Sequence, residues 1–285
     1  MKITGLLSTT LGLTLVVCSQ GFAATIVNTG GPTNGIAIAS RPDSPGKTEI
    51  EAADDFIVGP SNSFINSGTF TGLLSGTVAV PTVQNVIIEI YRVFPLDSTQ
   101  PPSGHVLTRM NSPSDVAFES FDASASEVSF TTTVLAASFT ALNSVQPGGI
   151  HPQPGQTTGG NGQVAGQEVR FNFTFTTPFL LPADHYFFVP QVQVAGGEFF
   201  WLSGDRPLTG ADVGPTPDLQ AWTRDAALDP DWSRVGTDIV GGATPPTFNG
   251  AFSLDATAAP EPATFGLCFA ALGLAGWVVR RRRSE

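Results

Sequence analysis

The sequence predicts an all-β protein: an antiparallel β-sandwich, jelly-roll-like, flanked by an N-terminal signal helix and a C-terminal transmembrane helix. Three observations carry that expectation. Apolar residues recur with period two, as where Val169, Phe171, Phe173 and Phe175 alternate with Arg170, Asn172, Thr174 and Thr176, the pattern of a strand buried on one face. Glycine and proline, 31 and 23 of 285 residues, cluster between such stretches, and no amphipathic helical period of more than about ten residues runs through the interior. The long uncharged apolar segments stand at the two ends.

Residues 1–24 read as a signal peptide. Lys2 supplies the positive start, Leu6 to Val17 an apolar stretch, and Gly21-Phe22-Ala23 the small residues read by a signal peptidase, placing cleavage after Ala23 or Ala24. The expected partners at this end are the Sec export machinery and signal peptidase. Cys18 follows Val17, where a lipoprotein signal needs a small residue.

The body, residues 25–258, reads as a series of strands. Val86 to Phe94 is expected to be a more fully buried strand, and Tyr186 to Val194 another, whose Pro190 suggests an edge or bulge. Phe199 to Leu202 follows Gly196-Gly197, so these last two are expected to pair as a hairpin. Phe248, Gly250, Phe252 and Leu254 alternate in the final strand, with weaker candidates at Thr48–Val58, Thr69–Leu74 and Glu127–Ser138. Turn chemistry at Gly30-Gly31-Pro32, Ser44-Pro45-Gly46, Pro101-Pro102, Gly241-Gly242 and Pro245-Pro246 separates them. Residues 147–166 hold seven glycines and three prolines without an apolar period, which reads as a long loop.

Charge excludes several functions. Between Thr25 and Ala259 stand 22 acidic and 8 basic residues, a net charge of −14. Such a surface repels nucleic acid, so no nucleic-acid partner is expected. Cys18 and Cys268 both lie in the end segments, so the body has no disulfide, thiolate or cysteine metal site.

No catalytic constellation stands out. His105, His151 and His185 are far apart, and no zinc-protease, nucleophile-elbow or phosphate-loop motif occurs. The body is therefore expected to be non-enzymatic. Asp225, Asp229 and Asp231, with Asp238 nearby, fall in a proline-containing stretch that reads as a loop; its oxygens could hold Ca²⁺ or serve turns alone. Asp54 and Asp55 have the same reading. Trp222 and Trp232 lie among polar residues, where an exposed indole could stack on a sugar ring; packing under a loop is the commoner fate of tryptophan. Trp201 reads as core.

The C-terminus carries the sharpest pattern. Pro260-Glu261-Pro262 precedes a stretch from about 263 to 279 without charge, and Arg280, Arg281, Arg282 and Arg283 follow. At 1.5 Å per residue the apolar stretch spans about 25 Å, the short end of a bilayer crossing. The arginines would hold their end in the cytoplasm, and the prolines keep the preceding segment extended. Together, residues 259–285 resemble the PEP-CTERM sorting signal of exosortase-processed bacterial proteins, with Ala259 where the family often has Val. The resemblance implies an exosortase that recognises Pro260, Glu261 and Pro262 while helix and arginines hold the chain transiently in the inner membrane. It also implies delivery to the cell surface or extracellular matrix, commonly alongside exopolysaccharide. The stretches Ala52–Phe56, Tyr91–Pro95, Tyr186–Pro190 and Leu228–Trp232 resemble bodies of other exported proteins of this kind, which implies no activity. The expectation is a structural, adhesin-like or glycan-binding surface protein; the alternative is an exported polysaccharide hydrolase or lyase, which would need paired carboxylates in a cleft.

Overall fold

The structure, a computed structural model, describes residues 23–76, 82–98, 110–147, 150, 156–204, 220–226 and 229–259, without the side chains of 229 and 230. Residues 1–22 of the signal peptide, residues 260–285 of the sorting tail and the Pro101-Pro102 turn lie outside these residues. Strands are numbered in chain order. The first sheet has nine strands. Its centre is β4 (Ser63–Gly76), the longer form of the weak candidate at Thr69–Leu74. One side of β4 is taken by β9 (Val164–Leu181), which carries β7 (Val128–Ala141) beyond it. The other side is shared. β15 (Phe252–Ala258) pairs with residues 63–70 and β11 (Gly197–Gly204) with residues 72–76. β1 (Ala24–Asn28) lies outside β15. Beyond β11 come β2 (Pro32–Ala39) and the short parallel strand β8 (Asn143–Val145), while β14 (Asn249–Gly250) joins β11 near its end.

The second sheet has six strands in the order β13 (Asp229–Arg234), β12 (Trp222–Asp225), β3 (Ile50–Ile57), β10 (His185–Ala195), β5 (Thr82–Arg92), β6 (Glu119–Asp122). Among the described residues the helical elements are a three-residue turn at Ala123–Ala125 and one π-helical turn at Val235–Val240.

Phenylalanines join the sheets. Phe188 of β10 stacks on Phe252 of β15 at 4.9 Å and on Phe173 of β9 at 5.8 Å, and meets the edge of Trp201 of β11 at 5.9 Å. Within the first sheet Phe70 stacks on Phe171 at 4.7 Å. Two glycines are needed for this packing. A Cβ on Gly72 would stand 2.1 Å from the Phe199 ring, and one on Gly250 2.2 Å from Trp201.

β9 alternates as its sequence predicts: Val169, Phe171, Phe173 and Phe175 are buried and Arg170, Thr174 and Thr176 exposed. Three expectations are corrected. β5 is only half-buried, with Ile87 and Glu89 partly exposed. β10 is central rather than an edge strand. Pro190, which has no N–H, sits beyond the last β10–β3 pair, Phe188 with Asp54, where Ser40 takes over. Ser40 Oγ donates to Pro190 O at 2.6 Å, and Val192 N to Ser40 O at 3.2 Å. Finally, β10 and β11 are not a hairpin. Gly196, at φ 72°, turns the chain from one sheet into the other.

β10 reads as a continuous apolar run because it is buried on both faces. Tyr186 and Phe188 enter the main core, whereas Phe187 and Val189 enter a second cluster with Ala53, Tyr91, Trp222 and Trp232.

Candidate functional site

That second cluster surrounds a group of charges which the sequence did not single out. Arg224 on β12 stands opposite Glu51 on β3 in the strand register. Its Nε and Nη2 donate to the two Glu51 carboxylate oxygens, and Nη2 also donates to Tyr91 Oη at 3.1 Å. The guanidinium lies 4.6 Å over the Trp232 ring and donates through Nη1 to Asp115 O at 3.3 Å. Tyr91 Oη donates to Glu51 Oε1 at 2.5 Å and lies 3.2 Å from Glu89 Oε2. Glu51 is 1 % exposed and Arg224 6 %. Glu49 joins through Gln191, whose Nε2 donates to Glu49 Oε1 at 2.9 Å.

Three glutamates therefore face one guanidinium. Burial, then the charges of Glu51 and Glu49, push the Glu89 carboxyl up to about 8. Burial, then Glu51, raises Glu49 also. Near neutral pH Glu89 keeps its proton and can donate to the Tyr91 oxygen, completing a chain Glu89–Tyr91–Glu51–Arg224. Because the folded value lies above the ordinary carboxyl value of 4.5, the native state binds the extra proton between those two pH values. Its contribution is whole below about 4.5 and is lost as pH rises through about 8. Thermal melts from pH 5 to 9 should show stability declining across that window, with a shallower decline in Glu89→Gln. Equal slopes in the two proteins would remove Glu89 as the cause.

The two tryptophans that could have met glycan are inside, the commoner fate of the residue. Trp222 is 1 % exposed and Trp232 0 %. Trp232 packs edge-on against Tyr91 at 5.6 Å and donates through Nε1 to Ser114 O at 3.0 Å. Arg234 lies 6.0 Å over Trp222 and is tied to Asp238 at 2.7 Å. Neither ring is open to a sugar: Trp232 lies under Ser114 and the Arg224 guanidinium, and Trp222 under Arg234.

The aspartates expected in a loop stand on paired strands. Asp225 ends β12 opposite Asp229 of β13, and Asp225 and Asp231 are buried. Thr48 Oγ1 donates to Asp225 Oδ2 at 3.1 Å. Among the described residues no group of three or more His, Cys, Asp or Glu side chains could hold a metal ion; the Asp229 side chain lies outside them. Asp54 and Asp55 are likewise strand residues. Asp54 Oδ2 accepts from Gly250 N at 2.6 Å, tying β3 to β14, and Asp55 Oδ2 lies 2.6 Å from His185 Nε2. His185 borders a shallow, mostly apolar hollow of about 430 Å³ formed by Ile57–Pro60 and Ala183–His185.

A larger open cleft of about 500 Å³ lies beside β2 and β8. Thr33, Asn143, Ser203, Thr244 and Thr247 line it with hydroxyl and amide groups, Phe248 supplies an apolar wall, and none of the described lining residues is charged. Asn143 is braced by its neighbours, donating to Gly159 O and accepting from Gly162 N, both at 3.0 Å.

The two ends of the body emerge side by side. Ala24 pairs with Ala256, Ala258 pairs with Ser63, and Ala259 N donates to Asn62 O at 2.9 Å. The last backbone bond of the sheet thus falls one residue before Pro260. Comparison with known protein families matches residues 258–283 to the PEP-CTERM protein-sorting motif. By class, then, this is an exported protein sorted to the cell surface through its C-terminus. In particular, the motif is one processed by exosortase, and Pro260, Glu261, Pro262 and Arg280 to Arg283 all fall inside it. No curated protein and no solved structure matches the chain. Among the described residues no helix is long and apolar enough to cross a membrane; the apolar stretch 263–279 lies outside them.

Proposed function

We propose that the body is a non-enzymatic structural protein of the cell surface or extracellular matrix: a rigid β-sandwich that holds neutral exopolysaccharide in the cleft beside β2 and β8. The observation that carries the reading is the cleft's described lining, which offers hydroxyl and amide partners and one aromatic wall, with no charge among those residues. Sugars are bound by such mixtures of hydrogen-bonding groups and apolar surface. The net charge of −14 on the body favours neutral over acidic polymers, since like charges repel at low ionic strength. Delivery by the sorting motif would place the body where such polymers are.

The alternative reading, an exported polysaccharide hydrolase or lyase, would look first to Glu51 and Glu89. Glu51, however, is buried and engaged by Arg224, whereas a catalytic carboxylate pair must meet substrate and water. That favours binding over cleavage.

Affinity electrophoresis through gels containing dextran, a soluble β-glucan or alginate tests the reading. A neutral glucan should retard the protein and alginate should not. Thr247→Glu, at an exposed position of the cleft wall, should weaken retardation about tenfold or more, the effect of one desolvated, unpaired polar group. Equal mobility in all gels, or unchanged retardation of the variant, would remove the cleft as a glycan site.

A further inference from the structure

Sheet edges are where a β-protein most easily joins a second chain, because their outer N–H and C=O groups lack partners. Among the described residues, five of the six strands paired on one side only are blunted by shortness or charge, β14 having just two residues. β1 has five residues and β8 three. β6 has four, including Glu119 and Asp122, and β13 has six, including Asp229, Asp231 and Arg234. β7 is different. It is 14 residues long and pairs with β9 alone. From Val128 to Gln146 the chain has no charge, no proline and no glycine.

Val128 is buried and Phe130 packs on the core, but from Thr131 to Leu135 the strand is open on both faces as well as along its edge. Residues 131–135 are all exposed, Val134 at 53 % and Leu135 at 43 %. Leu142, just past the strand, is 65 % exposed. The ladder with β9 is regular from Val128–Phe175 to Val134–Val169, and shifts register after Val134 and again before Phe139. Bulges hinder further pairing, so the regular stretch Val128–Val134 is the part able to accept another strand.

We propose that this stretch is a self-association edge: two copies of the chain pair antiparallel through Val128–Val134, continuing the nine-stranded sheet across a two-fold axis. Charge selects the occupant. With a net charge of −14, two bodies meeting through most other faces would set carboxylates against carboxylates. At β7 they bring uncharged threonine and valine against the same residues. Antiparallel pairing about a two-fold axis needs one patch complementary to itself, and an uncharged strand with threonines at its centre satisfies that. An interface of one strand pair is small, so association is expected in the micromolar range. The inference deepens the structural-protein reading, since a body that pairs can cross-link a matrix. Its test reads solution mass, separately from glycan binding.

In exported protein recovered from the cell surface, sedimentation velocity should show a concentration-dependent dimer. Thr131→Lys/Thr133→Lys should weaken it at least tenfold without changing the far-ultraviolet circular dichroism. Thr82→Lys/Gln84→Lys, which adds the same charge at exposed positions of β5, should not. In a chain with Cys18 and Cys268 replaced by Ala, Thr131→Cys should form a disulfide dimer under mild oxidation. Ser129→Cys should cross-link with Thr133→Cys better than with itself, as pairing centred on Thr131 requires. This second readout decides the matter if the lysine variant fails to fold. A monomer at about 100 µM, a dimer indifferent to the β7 lysines, or cross-linking without that register preference would overturn the proposal. So would lysines that leave the mass unchanged and abolish glucan retardation, which would make a polymer the occupant.

Discussion

Arg224→Ala should lower the stability of the body by about 3–5 kcal/mol, the cost of leaving one partner of a buried ion pair behind. For a unit of this size that corresponds to about 6–20 °C in Tm. The reason lies in what remains. Glu51, 1 % exposed, would keep its hydrogen bonds with Tyr91 and Glu89 but lose the guanidinium that neutralises it, and Glu49 would lose a nearby positive charge. Trp232 would lose the guanidinium from its face. Two further variants separate charge from packing. Adding Glu51→Gln to Arg224→Ala should restore part of the loss by removing the stranded charge. Arg224→Met with Glu51→Leu should come closest to the parent, because a buried ion pair can be replaced by apolar groups of like volume at little cost. Thermal and urea unfolding of the four proteins measures this. A single Arg224→Ala variant within 1 kcal/mol of the parent, as a rough threshold, would mean that the pair contributes little.

Truncation after Ala259 should have the opposite profile: no loss of stability and complete loss of sorting. β15 ends at Ala258, and its last partner bond is Ala259 N to Asn62 O, so the cut removes no strand pairing from the sheet. It does remove Pro260 to Glu285, nearly the whole sorting motif. The truncated chain should melt with the exported parent yet leave the cell without being held or processed. Replacing Arg280 to Arg283 with glutamine, with Pro260-Glu261-Pro262 intact, should weaken retention in the inner membrane by removing the charge that keeps the end of the tail in the cytoplasm. Changing Pro260 and Pro262 to alanine should leave retention and block processing. Cell fractionation and the mass of the mature chain distinguish the three. Arrival of the truncated chain at the same place in the same form as the parent would refute tail-directed sorting.

The buried cluster shows where sequence reading stops. β12 and β13 look like a loop because Trp222–Asp225 and Asp229–Arg234 mix tryptophan, arginine and aspartate around a proline, and neither has a clean alternation. They are strands because Ala53, Ala52, Glu51 and Ile50 offer a complementary edge more than 160 residues upstream. One local signal was available. Glu89 interrupts the apolar run Val86 to Phe94, and an acid in such a run needs a buried partner or a proton. The identity of that partner was not legible, since nothing near Glu89 in the chain names Glu51 or Arg224. The same limit explains Pro190. Its missing N–H is local knowledge, but only the sheet shows that β3 has already ended beside it and that Ser40 fills the place.

By itself the sequence determined the β class, the alternating face of β9, the cysteine-free acidic body and the sorting motif. Each depends on residue type at short spacing, and a period of two or a Pro-Glu-Pro run followed by apolar residues and arginines needs no distant partner to be recognised. The tertiary structure alone decided the rest. It set which sheet each strand joins, put both faces of β10 out of water, decided that Trp222 and Trp232 are interior, and left β7 paired on one side only among the described residues. Those are properties of long-range pairing: a side chain's burial, and an edge's freedom, depend on neighbours that the fold brings from elsewhere in the chain.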